Sequence, residues 1–249
     1  KIIFLNNFIL RKFGFLYNHI CKFIAVSGYV KKQHTKSGFE DKKIIIRNNG
    51  FTSPEIKEID SSWLHRDGIA FAGRVSIAKG SRVLEYLINN LKHDCEIKII
   101  GDGPELQALK NICTTKNIKN VKFFGRLSNE HTIEIIQKSI LCVVPSQCGD
   151  SYPSVALESL SVGTPVVASN LGGLTEIVKS SSGGVLSDYD NKISFLNNIQ
   201  ELLRERSKAK LMGDNGMKYI SENVDSNKQS KELLEIYKNV IKDFRLTTK

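Results

Sequence analysis

The chain has 249 residues, 41% hydrophobic and 25% charged, which is enough apolar material for a soluble, folded core of one large domain or one and a half small ones. Its formal charge of +10 runs along the chain and thickens at Lys31, Lys32, Lys36, Lys42 and Lys43. With no zinc-finger spacing, ribonucleoprotein aromatic motif or basic-region heptad beside it, that charge argues against nucleic acid and for an anionic small molecule or an anionic membrane surface.

The sequence opens at Lys1 with no secretory leader pattern and reads as a piece of a longer protein. Residues 2–26 are rich in aliphatic and aromatic side chains, but Arg11, Lys12, His19 and Lys22 interrupt them too often for a spanning helix. They read either as a helix and strand buried in a domain or as an amphipathic segment on a membrane surface. Residues 24–26 resemble a buried strand ending at Ser27, and Ile44, Ile45 and Ile46 a second, closed by the turn residues Asn48, Asn49 and Gly50. Residues 51–66 are polar and irregular and read as a linker.

From Gly68 onward the pattern alternates strand and helix. Strands are predicted at 69–72, 97–100, 121–124, 143–144, 166–167 and 183–186. Between them lie helices with apolar faces at Val83, Leu84, Leu87, Ile88 and Leu91, at residues 106–112 and 133–136, and at Ala156, Leu157 and Leu160. Further helices follow, marked by Ile193, Leu196, Ile199 and Leu203, then at residues 210–220 and 228–245. Short loops between such elements imply right-handed crossovers and a parallel sheet covered on both faces, an α/β, Rossmann-like domain. Five cysteines, an odd number with no Cys-x-x-Cys pair, suggest neither a disulfide framework nor a zinc site and suit buried thiols in a reducing cytoplasm.

The chemistry gathers in residues 141–178, LCVVPSQCGDSYPSVALESLSVGTPVVASNLGGLTEIV. A strand stops at Pro145, a polar loop ends at Asp150, and a helix from about 153 to 162 carries Glu158 on the face opposite its apolar stripe, shared with Ser154. Both acids then face the cleft at the carboxyl ends of the strands, where open α/β sheets bind ligands. The loop after the first of the alternating strands, Gly73-Arg74 through Lys79-Gly80, has the wrong order for a P-loop, but its two cations, reaching one spot, would stabilise a departing diphosphate. Gly101-Asp102-Gly103-Pro104 reads as a structural turn. Gly125-Arg126-Leu127-Ser128 follows the next strand, with Ser128 placed to cap a helix. Asp188-Tyr189-Asp190 reads as helix capping rather than a metal site. None of the five histidines stands at metal-ligand spacing from another ligand type.

An acid, seven residues and Glu, followed by Gly-x-Pro-Val-Val-Ala-Ser and Gly-Gly-x-x-Glu, resembles the donor-site signature of retaining GT-B glycosyltransferases, family 4 or group 1. The family usually writes Glu-Gly-Phe-Gly at the first acid, where this chain has Asp150-Ser151-Tyr152-Pro153, a departure that leaves the donor sugar open. The resemblance implies a remnant of the acceptor domain at 1–50, a linker at 51–66, a nucleotide-sugar-binding domain at 67–226 and a last helix, 227–249, crossing back to the first domain. It also implies roles. Gly73, Arg74 and Lys79 hold the leaving diphosphate, and Arg126 and Leu127 receive the nucleobase. Asp150 holds sugar hydroxyls, Glu158 accepts from the ribose, and Ser154 and Val155 offer backbone N–H groups to a phosphate.

The expected donor is a nucleotide-diphosphate sugar and the expected acceptor a glycan or lipid-linked molecule. The expected setting is the cytoplasm or the inner face of a membrane, in polysaccharide or lipopolysaccharide assembly, with no metal or cofactor. Two alternatives stay open: a donor-binding module inactive by itself, and a GT-B-like sugar-nucleotide epimerase.

Overall fold

A computed structural model describes residues 20–52, 63–92 and 94–247. The chain divides into two compact units, one of the residues up to Gly50 with those from Ser226 onward, the other Phe51–Asp225. In the first unit, β1 (Phe23–Ala25) and β2 (Ile44–Ile46) pair in parallel through α1 (Gly28–Lys36). Ser27 caps that helix, its hydroxyl accepting from Val30 N. Arg47 then reaches the closing helix, donating to Gln229 O at 2.6 and 3.1 Å. The two readings of residues 2–26 fall mostly outside the described residues. Among the described residues no helix is long and apolar enough to cross a membrane.

The second unit is an α/β layer structure. Its strands are β3 (Ile69–Ala72), β4 (Ile97–Ile100), β5 (Val121–Gly125), β6 (Leu141–Val144), β7 (Val166–Ser169) and β8 (Gly184–Ser187). All pair in parallel, in the order β5-β4-β3-β6-β7-β8. The helices between them are α2 (Ser81–Asn90), α3 (Leu106–Thr115), α4 (Asn129–Gln137), α5 (Ser154–Ser161) and α6 (Gly173–Ser181); α7 (Lys192–Arg204) and α8 (Arg206–Tyr219) follow, while the closing helix α9 (Ser226–Thr247) belongs to the first unit.

β4, β6 and β7 are buried along their whole length, as central strands covered on both faces must be, whereas edge strand β5 is only partly covered. The predicted stripe of α2 packs on them, with Val83, Leu84, Leu87 and Ile88 all buried, joined from the far end of the chain by Phe195, Ile199 and Leu202 of α7. Each such side chain contributes about 1.5–3 kcal/mol through removal from water.

Three sequence expectations change. Residues 63–66 are ordered rather than irregular: Trp63–His65 forms a 3-10 turn that leaves Leu64 and His65 exposed, and Arg66 is buried, because its guanidinium finds carbonyl partners inside the unit. Two cysteines, Cys21 and Cys148, are exposed because they lie outside the regular elements; Cys95, Cys113 and Cys142 are buried. The charge is also not evenly spread. Residues 1–50 and 226–249 hold 16 Lys and Arg against 5 Asp and Glu, while residues 51–225 hold 20 against 21. Folding gathers the whole positive surplus into the first unit, because its two halves come from opposite ends of the chain.

Candidate functional site

The strand order places a switch point between β3 and β6, where chain connections leave toward opposite edges of the sheet. A crevice opens there at the carboxyl ends, the position open α/β sheets use for ligands. The loop after β3 and the loop after β6 form its walls. They are tied by the Gln147 N–H, which donates to Ala78 O at 2.8 Å. That tie brings together side chains 71 positions apart: Lys79 Nζ meets Asp150 Oδ1 at 2.5 Å.

Asp150 is held from several sides. The buried Ser146 hydroxyl donates to Oδ2 at 2.7 Å, and the Cys148 thiol lies 3.6 Å from Oδ1. Its own carbonyl accepts from Gly173 N at 2.7 Å. The last contact requires glycine before α6: Gly172 has φ +64°, and a Cβ there would lie 2.6 Å from Asp150 O. The Gly172-Gly173 pair thus supports the acidic loop from behind.

Two cavities open on this frame. A smaller one, of about 350 Å³, is lined by Lys79, Ser146, Asp150, Tyr152 and the first turn of α5 at Ser154 and Val155. Helix N-terminal N–H groups lack partners within their own helix, so this turn presents donors to the cavity. Pro153, the N-cap, has no N–H to add. A larger cavity, of about 800 Å³, is lined by Arg74, Asp102, Pro104, Arg126, Leu127 and Thr132. Ala72 and Gly73 line both, so the two adjoin at the end of β3.

Of the residues singled out from sequence, Lys79, Asp150, Ser154 and Val155 therefore surround the smaller cavity, and Arg74, Arg126 and Leu127 the larger, with Gly73 at the junction. Arg74 and Lys79 were expected to reach one spot. They line neighbouring cavities instead, because the 3-10 turn Ile77–Lys79 carries Lys79 toward β6. Glu158 lines neither cavity. It is half-buried one turn behind Ser154, and burial raises its carboxyl above the ordinary 4.5 while the Ser154 hydroxyl pulls it partly back.

Sequence reasoning missed two contributors. Residues Gly101 to Pro104, read as a structural turn, form a wall of the larger cavity. Ser146 was not singled out; its position four residues before Asp150 was the available signal. Ser128 caps α4, accepting from His131 N, and Asn191 caps α7, accepting from Ser194 N, with Asp188 in the turn before it. Among the described residues no three His, Cys, Asp or Glu side chains gather as a metal site.

An open parallel sheet in this strand order, with cations, a fixed carboxylate and a helix N-terminus around its switch point, defines a Rossmann-like ligand-binding domain. The family profile described as "Glycosyl transferases group 1" matches residues 55–219, and the chain belongs to that family. An uncharacterized glycosyltransferase of Methanocaldococcus jannaschii is 27% identical over 223 residues, covering 87% of this chain and 60% of the relative. A D-inositol 3-phosphate glycosyltransferase of Corynebacterium kroppenstedtii is 26% identical over 190 residues, covering 72% of this chain and 42% of its own.

Among solved structures, a glycosyltransferase from Rickettsia africae superposes with a TM-score of 0.79 at 19% identity, over 94% of this chain and 67% of that one. Anabaena HepE, solved in complex with UDP and glucose, gives 0.75 at 21%, over 88% and 63%. These share the GT-B glycosyltransferase fold. The chain spans only part of the curated relatives it matches, 58 to 60% of the three from Methanocaldococcus jannaschii and 42% of the Corynebacterium kroppenstedtii enzyme.

Proposed function

We propose that this chain is the donor-binding part of a retaining, family 4 glycosyltransferase that moves a sugar from a nucleotide-diphosphate sugar to a glycan or lipid-linked acceptor. The observation that carries the reading is the Lys79–Asp150 pair at the switch point, beside the first turn of α5. In the reading, the nucleoside enters the larger cavity between Arg74 and the Arg126-Leu127 segment, and the sugar the smaller one. The diphosphate crosses at Gly73, takes the backbone N–H groups of Ser154 and Val155, and draws Lys79 away from Asp150. Asp150, still held by Ser146, then accepts from sugar hydroxyls, and Glu158 turns from Ser154 to the ribose.

The acceptor oxygen attacks the anomeric carbon on the face that the diphosphate leaves. As the carbon–oxygen bond to phosphate breaks, a phosphate oxygen takes the acceptor's proton, so the sugar keeps its configuration. Arg74 and Lys79 stabilise the charge that builds on the diphosphate. No metal takes part, so chelation with EDTA leaves transfer unchanged. Calorimetric titration with UDP, ADP and GDP tests the donor reading, with UDP first because HepE was solved with it. A protein that binds none of the three refutes it. The configuration of the transferred sugar, read by NMR, tests retention, and the same products would reveal an epimerase.

Because the chain spans at most about 60% of these curated relatives, a donor-binding module that needs more chain for transfer is the second reading. Nucleotide binding without transfer supports it. The setting we propose is the cytoplasmic face of a membrane, in cell-surface polysaccharide or lipopolysaccharide synthesis. Its support is the positive surplus of the first unit. Cosedimentation with phosphatidylglycerol vesicles, lost as salt rises, tests the contact; equal recovery with neutral vesicles rejects it.

A further inference from the structure

α5 is short, eight residues or about 12 Å, and it meets the smaller cavity only at its first turn. What fixes the other end therefore fixes the N–H groups at the cavity. At that far end stands Arg66, 6% exposed. Its Nη2 donates to Val162 O at 2.9 Å, and its Nη1 donates to Gly163 O at 3.0 Å and to Thr164 Oγ1 at 2.8 Å. Val162 is the C-cap of α5 and Gly163 and Thr164 follow it, so the guanidinium grips the chain as a planar fork where the helix ends.

The anchor is itself built in. The guanidinium carbon lies 4.5 Å from the centre of the Trp63 ring, and Arg206 of α8 donates to Trp63 O and Arg66 O at 3.1 and 2.8 Å. Thr164 passes the contact on, its hydroxyl donating to Ile136 O at 3.0 Å. Burial lowers the Arg66 value to about 10 and Asp214 opposes the fall, so the group is cationic at neutral pH.

We infer that Arg66 is a positioning residue for the donor cavity, acting from the far end of α5 and tying the segment that enters this unit to nucleotide binding. The inference rests on the donor reading above, since α5 matters to binding only if its first turn meets a phosphate.

The test compares Arg66→Met, Arg66→Lys and Thr164→Val with Ile199→Ala, a buried α7 change away from α5 that lowers stability without touching the helix. Calorimetry reads UDP affinity, and hydrogen exchange reads the backbone amides of residues 154–157. Arg66→Met should raise the UDP dissociation constant roughly three- to thirtyfold, the range of couplings through contiguous packing, and speed exchange in the first turn. Arg66→Lys, which keeps charge but not the fork, and Thr164→Val should fall between it and the parent, while Ile199→Ala changes neither readout.

Parental exchange and affinity in the Arg66 variants overturn the inference, as does an equal loss in Ile199→Ala. Should Arg66→Met fail to fold, Arg66→Lys and Thr164→Val carry the same two readouts. If the parent binds none of UDP, ADP and GDP, the donor reading fails by itself. The exchange data then still decide: faster first-turn exchange in the Arg66 variants but not in Ile199→Ala supports the positioning role, and unchanged exchange overturns it.

Discussion

Gly101 is the sharpest place to test whether the two cavities depend on close backbone approach. It has φ +129°, and a Cβ added there would sit 1.9 Å from Gly73 O. Ordinary contact begins near 3.4 Å, so in Gly101→Ala the Gly73 carbonyl must retreat, and Arg74 must move with it. Backbone strain at such a φ costs about 1–3 kcal/mol. For a chain of this size each kcal/mol lowers Tm by about 2–4 °C, so a fall of roughly 4–8 °C is expected at the middle of that range.

Displacing a binding group by more than an ångström adds a functional loss, and UDP affinity should weaken at least about tenfold. Gly125 supplies the control: its φ is +67°, yet nothing lies within 4 Å of an added Cβ. Gly125→Ala should cost only the left-handed backbone, about 1–2 kcal/mol, and leave UDP binding alone. Thermal unfolding and calorimetry on both variants decide the matter. Parental UDP affinity in Gly101→Ala, or an equal loss of affinity in Gly125→Ala, would refute the claim that the close approach of Gly101 to Gly73 shapes the cavities.

Lys79→Ala should lower turnover of the intact enzyme at least about tenfold, the scale of one lost transition-state interaction. A cycle with Asp150→Asn should show coupling of about 0.5–3 kcal/mol in UDP binding, because the two side chains touch; additive losses would mean that the pair is incidental. Glu158 gives a pH test. Burial raises its folded value, so its contribution to stability is fully present below the unfolded value of about 4.5 and is lost as pH rises through the folded one. Glu158→Gln should therefore be more stable than the parent to urea at pH 7, with the advantage fading by pH 4, while UDP binding at pH 7 weakens. A Glu158→Gln protein less stable at pH 7, or one with parental UDP affinity, counts against the burial argument or the ribose role respectively.

The elements of the second unit were legible in the chain because their signals are local. The apolar spacing of Val83, Leu84, Leu87 and Ile88 marks a helix wherever it is placed, and β-branched runs such as Val143-Val144 and Val166-Val167 mark buried strands. Loop contents were legible too, since Asp150, Lys79 and the Gly172-Gly173 turn lie in short stretches of fixed spacing. The burial of Arg66 could not be read, for its partners stand about 97 positions away and a charged side chain between polar neighbours reads as solvated. The share of each residue in one cavity or the other was equally hidden.

Local spacing by itself determined that strands and helices alternate from Gly68 onward and which loops carry charge. Tertiary structure alone decided that Lys79 meets Asp150, that Arg74 lines a neighbouring cavity, that Glu158 lines neither, and that the positive surplus collects in one unit. The physical reason is strand order. Side-chain periodicity follows from bonds and sterics over a few residues, whereas the neighbour of β3 is chosen by burial of whole sheet faces. That choice, β6 beside β3, brings the two loops to one crevice.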